Sequence, residues 1–122
     1  MSQRTYTVEE ANAAVPALRA QLERIRRSRQ TMIAASRRIT DAVAADGGGV
    51  AGGDWFEAGR QLRADVEDLA ANGILLRDPE GGLVDFPAER EGKIVFLCWR
   101  RDEDAVGWWH EQDSGFVGRR PL

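Results

Sequence analysis

Residues 74–99, ILLRDPEGGLVDFPAEREGKIVFLCW, decide the fold. The chain before Ile74 carries a helical period, whereas here short apolar runs alternate with clusters of Asp, Pro, Gly and Glu, the punctuation of a sheet. Ile74-Leu75-Leu76 reads as a strand and Arg77 to Gly82 as a turn. Leu83-Val84-Asp85-Phe86 follows as a second strand, which Pro87 is expected to stop because proline has no N–H to give a ladder. Glu89 to Lys93 turns again. Ile94 to Trp99 is apolar at every position, so both faces should be covered and it should be the central strand. Arg100 to Asp104 is a charged loop, Val106 to Glu111 the last strand, and residues 112–122 a glycine-broken tail.

Upstream, Thr7 and Glu10 have the spacing of a capping box, which predicts a helix over residues 6–45. Pro16 should kink or restart it near Val15. Val15, Leu18, Leu22, Ile25, Arg29, Met32, Ser36, Ile39 and Val43 recur at steps of three and four, a coiled-coil-like seam. Residues 46–53, DGGGVAGG, form a flexible connector. A second helix over 54–72 repeats the pattern through Trp55, Gly59, Leu62, Val66 and Leu69, and Asn72-Gly73 ends it. It is the shorter helix, so Leu18, Leu22 and Ile25 must be covered by the later strands or by a second copy, and a homodimer is expected. The sum is one α+β domain over 1–122, a long helical hairpin packed with a small antiparallel β-meander over 74–111.

Composition narrows the function. The 122 residues carry 17 Lys and Arg against 20 Asp and Glu, a net charge of −3, the wrong sign for a dedicated nucleic-acid binder. The first helix is locally basic through Arg24, Arg26, Arg27, Arg29, Arg37 and Arg38, but Glu57, Asp65, Glu67 and Asp68 of the second offer complements. No apolar run approaches the roughly 18 residues a membrane span needs, and the N-terminus lacks a secretory pattern. A cytoplasmic protein, with a protein partner as an open possibility, is the expectation. One cysteine, Cys98, cannot close an intrachain disulfide, and one histidine, His110, excludes sites built on two imidazoles within a protomer.

Chemistry concentrates in Trp108 to Arg120, which holds two tryptophans, the histidine, two carboxylates and an arginine pair. A first reading makes His110 a metal ligand with Glu111, Asp113, Asp85 or Glu10; one nitrogen with several oxygens suits manganese, iron or zinc. Against it stands a structural histidine donating to a carboxylate. A second reading is a thiol site. If Cys98 lies opposite Trp108, then Cys98 and His110 are diagonal neighbours on one face, although an apolar strand makes a thiol inert. A third is anion recognition by Arg119 and Arg120 beside Gly115 and Gly118, with Trp109 close by. A serine triad through Ser114 lacks its motif. The rival to all of these is a scaffold or interaction module in which the same residues anchor the tail.

Tyr6-Thr7-Val8-Glu9-Glu10-Ala11-Asn12, Gly82 to Pro87, Phe96 to Trp99 and the closing Trp109, His110, Glu111, Asp113, Gly115, Phe116, Gly118 and Arg119 closely resemble a small bacterial family, domain of unknown function 2203. The resemblance covers nearly the whole chain. It implies a helical hairpin with a small sheet, and brings no established activity.

Overall fold

Thr7 N–H donates to Glu10 Oε1 at 2.9 Å and Glu10 N–H to Thr7 Oγ1 at 3.0 Å, so the capping box starts the first helix as its spacing requires. These contacts come from a computed structural model that describes residues 4–46 and 53–122. Helix α1, Val8–Asp46, continues through Pro16 as α-helix, with no restart near Val15. Most of the expected connector lies outside the described residues. Helix α2 spans Gly53–Ala71. It ends where Gly73, at φ 73°, lets Ile74 N–H reach back to the Leu69 carbonyl at 3.0 Å.

Five strands follow: β1 Leu75–Asp78, β2 Leu83–Arg90, β3 Lys93–Arg100, β4 Trp108–His110 and β5 Arg120–Pro121. They lie in the order β1-β2-β3-β4-β5, each antiparallel to its neighbour, with β3 in the middle. Two expectations are corrected. Pro87 does not stop β2, because its carbonyl turns away from β3 and accepts from Tyr6 N–H at 2.7 Å. In an antiparallel ladder a residue's N–H and C=O point to the same side, so the missing donor falls beyond the end of β1 and costs no bond to β3. The tail is not simply irregular: its Arg120 and Pro121 pair with Trp109 and Trp108 and close the sheet. Between β2 and β3 the turn shrinks to Glu91-Gly92, both at positive φ, the two-residue hairpin that suits strand twist.

One face of the sheet receives the helices. Val84, Phe86 and Ala88 of β2 and Val95, Leu97 and Trp99 of β3 join Tyr6, Ala11, Val15, Leu18, Leu22 and Ile25 in a single core, with Leu69 and Ile74 beside them. Leu22 and Ile25 are fully buried within one chain. The strands therefore cover the seam that called for a second copy, and that argument for a dimer falls. Beyond Ile25 the seam becomes polar, as Arg29 pairs with Glu80 of the β1–β2 turn at 3.1 Å.

Helix α2 keeps part of the face its pattern indicated, since Leu69 is buried, Leu62 packs against the core and Gly59 lies beside Met32. Ala58, Asp65 and Leu69 are buried, while Trp55 and Val66 are exposed. Asp65 lies on the buried face, where α1 supplies partners for it. Asp65 accepts from Arg24 Nη2 at 3.1 Å and from Gln61 Nε2 at 3.0 Å, and Gln21 Nε2 donates to the Asp65 carbonyl and to Asp68. The helices thus meet through a satisfied polar network beside their apolar contacts, where a simple heptad seam was expected. Most arginines of α1 have acidic partners: Arg24 with Asp65, Arg26 with Glu23 and Glu80, Arg27 with Glu23, and Arg38 with Asp54. Among the described residues no helix is long and apolar enough to cross a membrane.

Candidate functional site

The sheet's other face turns away from the helices. Alternation along the strands places Asp85 of β2, Cys98 of β3 and His110 of β4 on it. Asp85 lies directly opposite Cys98, and Cys98 opposite Trp108, so His110 is the diagonal neighbour of Cys98. This is the register that the thiol reading required. An Asp85 oxygen, Cys98 Sγ and a His110 nitrogen all lie within 4.8 Å of one another, and all three residues are buried. Three neighbouring strands thus bring a carboxylate oxygen, a sulfur and an imidazole nitrogen close together.

Each atom has a defined setting. His110 Nδ1 is 2.7 Å from the Glu111 carbonyl, to which it donates, and Nε2 is 3.0 Å from Asp85 Oδ1. The first bond fixes the ring orientation and leaves Nε2 facing the cluster. Arg77 Nε donates to Asp85 Oδ2 at 2.9 Å, with its guanidinium over the Phe96 ring. Phe96 also packs on His110, ring centroids 5.5 Å apart. Burial first, and then the Asp85 charge, push the Cys98 thiol up to about 11; hydrogen bonding and charge from Arg119 pull the other way. At neutral pH a thiol raised this far is protonated, the condition of a buried and weakly nucleophilic cysteine.

The tail encloses this face. Arg119 reaches back across the sheet and binds Glu103 in a fork, Nη1 to Oε1 at 3.1 Å and Nη2 to Oε2 at 2.8 Å, while Nη1 also lies 3.9 Å from Cys98 Sγ. Its guanidinium sits over the rings of Trp108 and Phe116. Glu103 is held in turn: Oε1 accepts from Arg100 N–H at 2.8 Å, and its carbonyl accepts from Trp99 Nε1 and Arg19. The charged loop after β3 is thereby a rigid mount for the tail.

Several expected site residues lie elsewhere. Glu111 and Asp113 are exposed beyond the end of β4, and Glu111 contributes only its carbonyl to the His110 ring. Glu10 is committed to the α1 capping box, where the Thr7 N–H bond lowers its pKa. Its helix packs on the other side of the sheet. Trp109 packs against the helix-side core, and Arg120 pairs with it in the ladder, over its ring. Neither joins the cluster. Asp85 and Cys98 do, as does Arg119 at its margin. Arg77 and Glu103 were missed: Arg77 reads as the start of a polar turn although it lies in β1, Glu103 is one charge in a loop, and only the folded register shows which partner each meets.

The family model described as "Uncharacterized conserved protein (DUF2203)" matches residues 4–122, and the chain belongs to this family. No curated protein and no solved structure matches it.

Proposed function

We propose that Asp85, Cys98 and His110 form a metal centre for a divalent ion. The observation that carries this reading is the His110 ring: its Nδ1 is engaged by a backbone carbonyl at 2.7 Å, the arrangement by which proteins present Nε2 to a metal. Around Nε2 stand a carboxylate and a sulfur within 4.8 Å, out of water. A thiolate in the donor set favours zinc or ferrous iron over manganese. Binding the ion displaces the Cys98 proton despite the raised thiol pKa, because a bound cation reverses the electrostatics of the site. A cytoplasmic, reducing compartment keeps that sulfur available, and the acidic chain whose basic helix is paired off is a poor nucleic-acid partner. Elemental analysis of untagged protein beside His110→Ala tests the reading. Metal at one equivalent in the parent and none in the variant supports it, and equal content in both removes it.

A second reading has its own observation. Asp85, His110 and Arg77 already satisfy one another without an ion, as in a non-catalytic scaffold, and α2 leaves Phe56 71% and Val66 40% exposed. A second copy of the chain would cover that apolar stripe. Light scattering tests it, with a dimer in the parent chain and a monomer in Phe56→Glu as the supporting result.

A further inference from the structure

We infer that Arg77 is the counter-ion of the empty centre and that the metal takes its place on Asp85, so that Arg77 opposes loading; this rests on the metal reading above. The Asp85 side chain is 3% exposed, and a buried carboxylate needs a cation beside it. Its Oδ2 accepts from Arg77 Nε at 2.9 Å, while Oδ1 lies 3.0 Å from His110 Nε2. With Cys98 as a thiol, the charges of Asp85 and Arg77 cancel. A divalent ion that displaces the thiol proton raises the charge of the cluster by one. Among the described residues the other charged groups at the cluster are Arg119 and Glu103, which cancel, and Glu103 holds both terminal nitrogens of Arg119 in place. The charge left over in the loaded centre is therefore that of Arg77.

Arg77 also has a way out. Its side chain is 44% exposed and stands on the edge strand β1, whereas Asp85, Cys98 and His110 are buried. Its guanidinium rests over the Phe96 ring, 5.2 Å from the centroid, a contact that is weak for a half-exposed cation. Once an ion neutralises Asp85, turning to water costs Arg77 little. Its departure frees Oδ2. Sulfur, imidazole nitrogen and both carboxylate oxygens then make four donors from the chain itself, enough for a closed site of the zinc type. Arg77 is thus a positioning residue: it fixes Asp85 against His110 in the empty protein and sets the metal concentration at which the centre fills.

Zinc titration of the full chain in competition with a chromophoric chelator tests this with two variants. In Arg77→Gln the amide nitrogen stands at the same place along the side chain as Nε, so a donor to Oδ2 stays while the charge goes; Arg77→Lys keeps the charge. Arg77→Gln should bind zinc about tenfold more tightly than the parent protein, a gain that losing a merely structural contact would not produce. Arg77→Lys should bind no more tightly than the parent. If Arg77→Gln does not fold, phenylglyoxal modification of the parent, read by mass spectrometry, decides: Arg77 should react faster in the zinc-loaded protein than in the empty one. Equal or weaker zinc binding by folded Arg77→Gln, an equal gain in Arg77→Lys or, where modification decides, no faster reaction of Arg77 on loading overturns the exchange and leaves the metal reading standing. No zinc binding by the parent overturns both.

Discussion

Asp85 is the residue on which the structural and the metal accounts make different demands, and two substitutions separate them. Its side chain is 3% exposed, with one oxygen 3.0 Å from His110 Nε2 and the other accepting from Arg77 Nε at 2.9 Å. Asp85→Ala leaves the Arg77 head free to turn to water, but His110, also 3% exposed, cannot follow. The loss is one charge-assisted hydrogen bond plus a buried ring nitrogen without a partner, about 3 kcal/mol. For a domain of this size that corresponds to roughly 10 °C in Tm. Asp85→Asn is different. Its amide nitrogen can donate to Nε2 while Nδ1 keeps its carbonyl, and its oxygen still accepts from Arg77, so every group is satisfied and the cost is about 1 kcal/mol or less. An amide is nonetheless a poor ligand for zinc. Urea unfolding followed by circular dichroism, paired with zinc titration, should show Asp85→Asn folded and metal-poor and Asp85→Ala destabilised. Equal destabilisation by the two substitutions, or full zinc affinity in Asp85→Asn, refutes the reasoning.

Other tests reach further into the molecule. In the metal-free protein Cys98 should react with a disulfide reagent at pH 7.5 only as fast as the chain opens, and rapidly in urea; native labelling at the rate of an exposed thiol contradicts its burial. Its pKa of about 11 lies above the ordinary 9.0, so the native state holds a proton that the unfolded chain releases. Below pH 9 this changes nothing, and between pH 9 and 11 it should cost roughly 2 kcal/mol, a slope that Cys98→Ala lacks in urea midpoints compared across that range. Arg24→Ala strips the main partner from Asp65, which is 5% exposed; it should cost about 2 kcal/mol in urea unfolding, while Arg38→Ala, breaking an exposed pair, should cost under about 1 kcal/mol. Leu22→Ala, in the fully buried seam under the sheet, should cost about 2–5 kcal/mol, and a loss below 1 kcal/mol would mean that the strands do not cover α1.

What could be read from the residues followed from local rules. The capping box set the start of α1, the change of period at Ile74 set the switch to sheet, and the unbroken apolar run of β3 identified the central strand. Pro87 misled because a missing N–H matters only on the side where a neighbour sits, and β1 is too short to sit there. Part of the face of α2 misled because Asp65 reads as solvated until Arg24 is placed beside it. Within the cluster, His110 and Asp85 were legible as a pair of chemical types, and the diagonal relation of Cys98 to His110 followed from one choice of register. Glu111, Asp113 and Glu10 were drawn in by composition alone; the first two lie exposed beyond the end of β4, and a helix cap occupies the last. Arg77 and Glu103 could not be found without coordinates, since their meaning depends on contacts 8 and 16 residues away along the chain.

The central claim is that sulfur, imidazole and carboxylate from three neighbouring strands meet around one ion. X-ray absorption at the zinc edge of the loaded, full-length chain reads that shell directly. The account predicts one sulfur near 2.3 Å and nitrogen or oxygen neighbours at roughly 2.0–2.2 Å, about four atoms in all, with the sulfur lost in Cys98→Ser. A shell of nitrogen and oxygen alone in the parent protein, unchanged by that substitution, would contradict it.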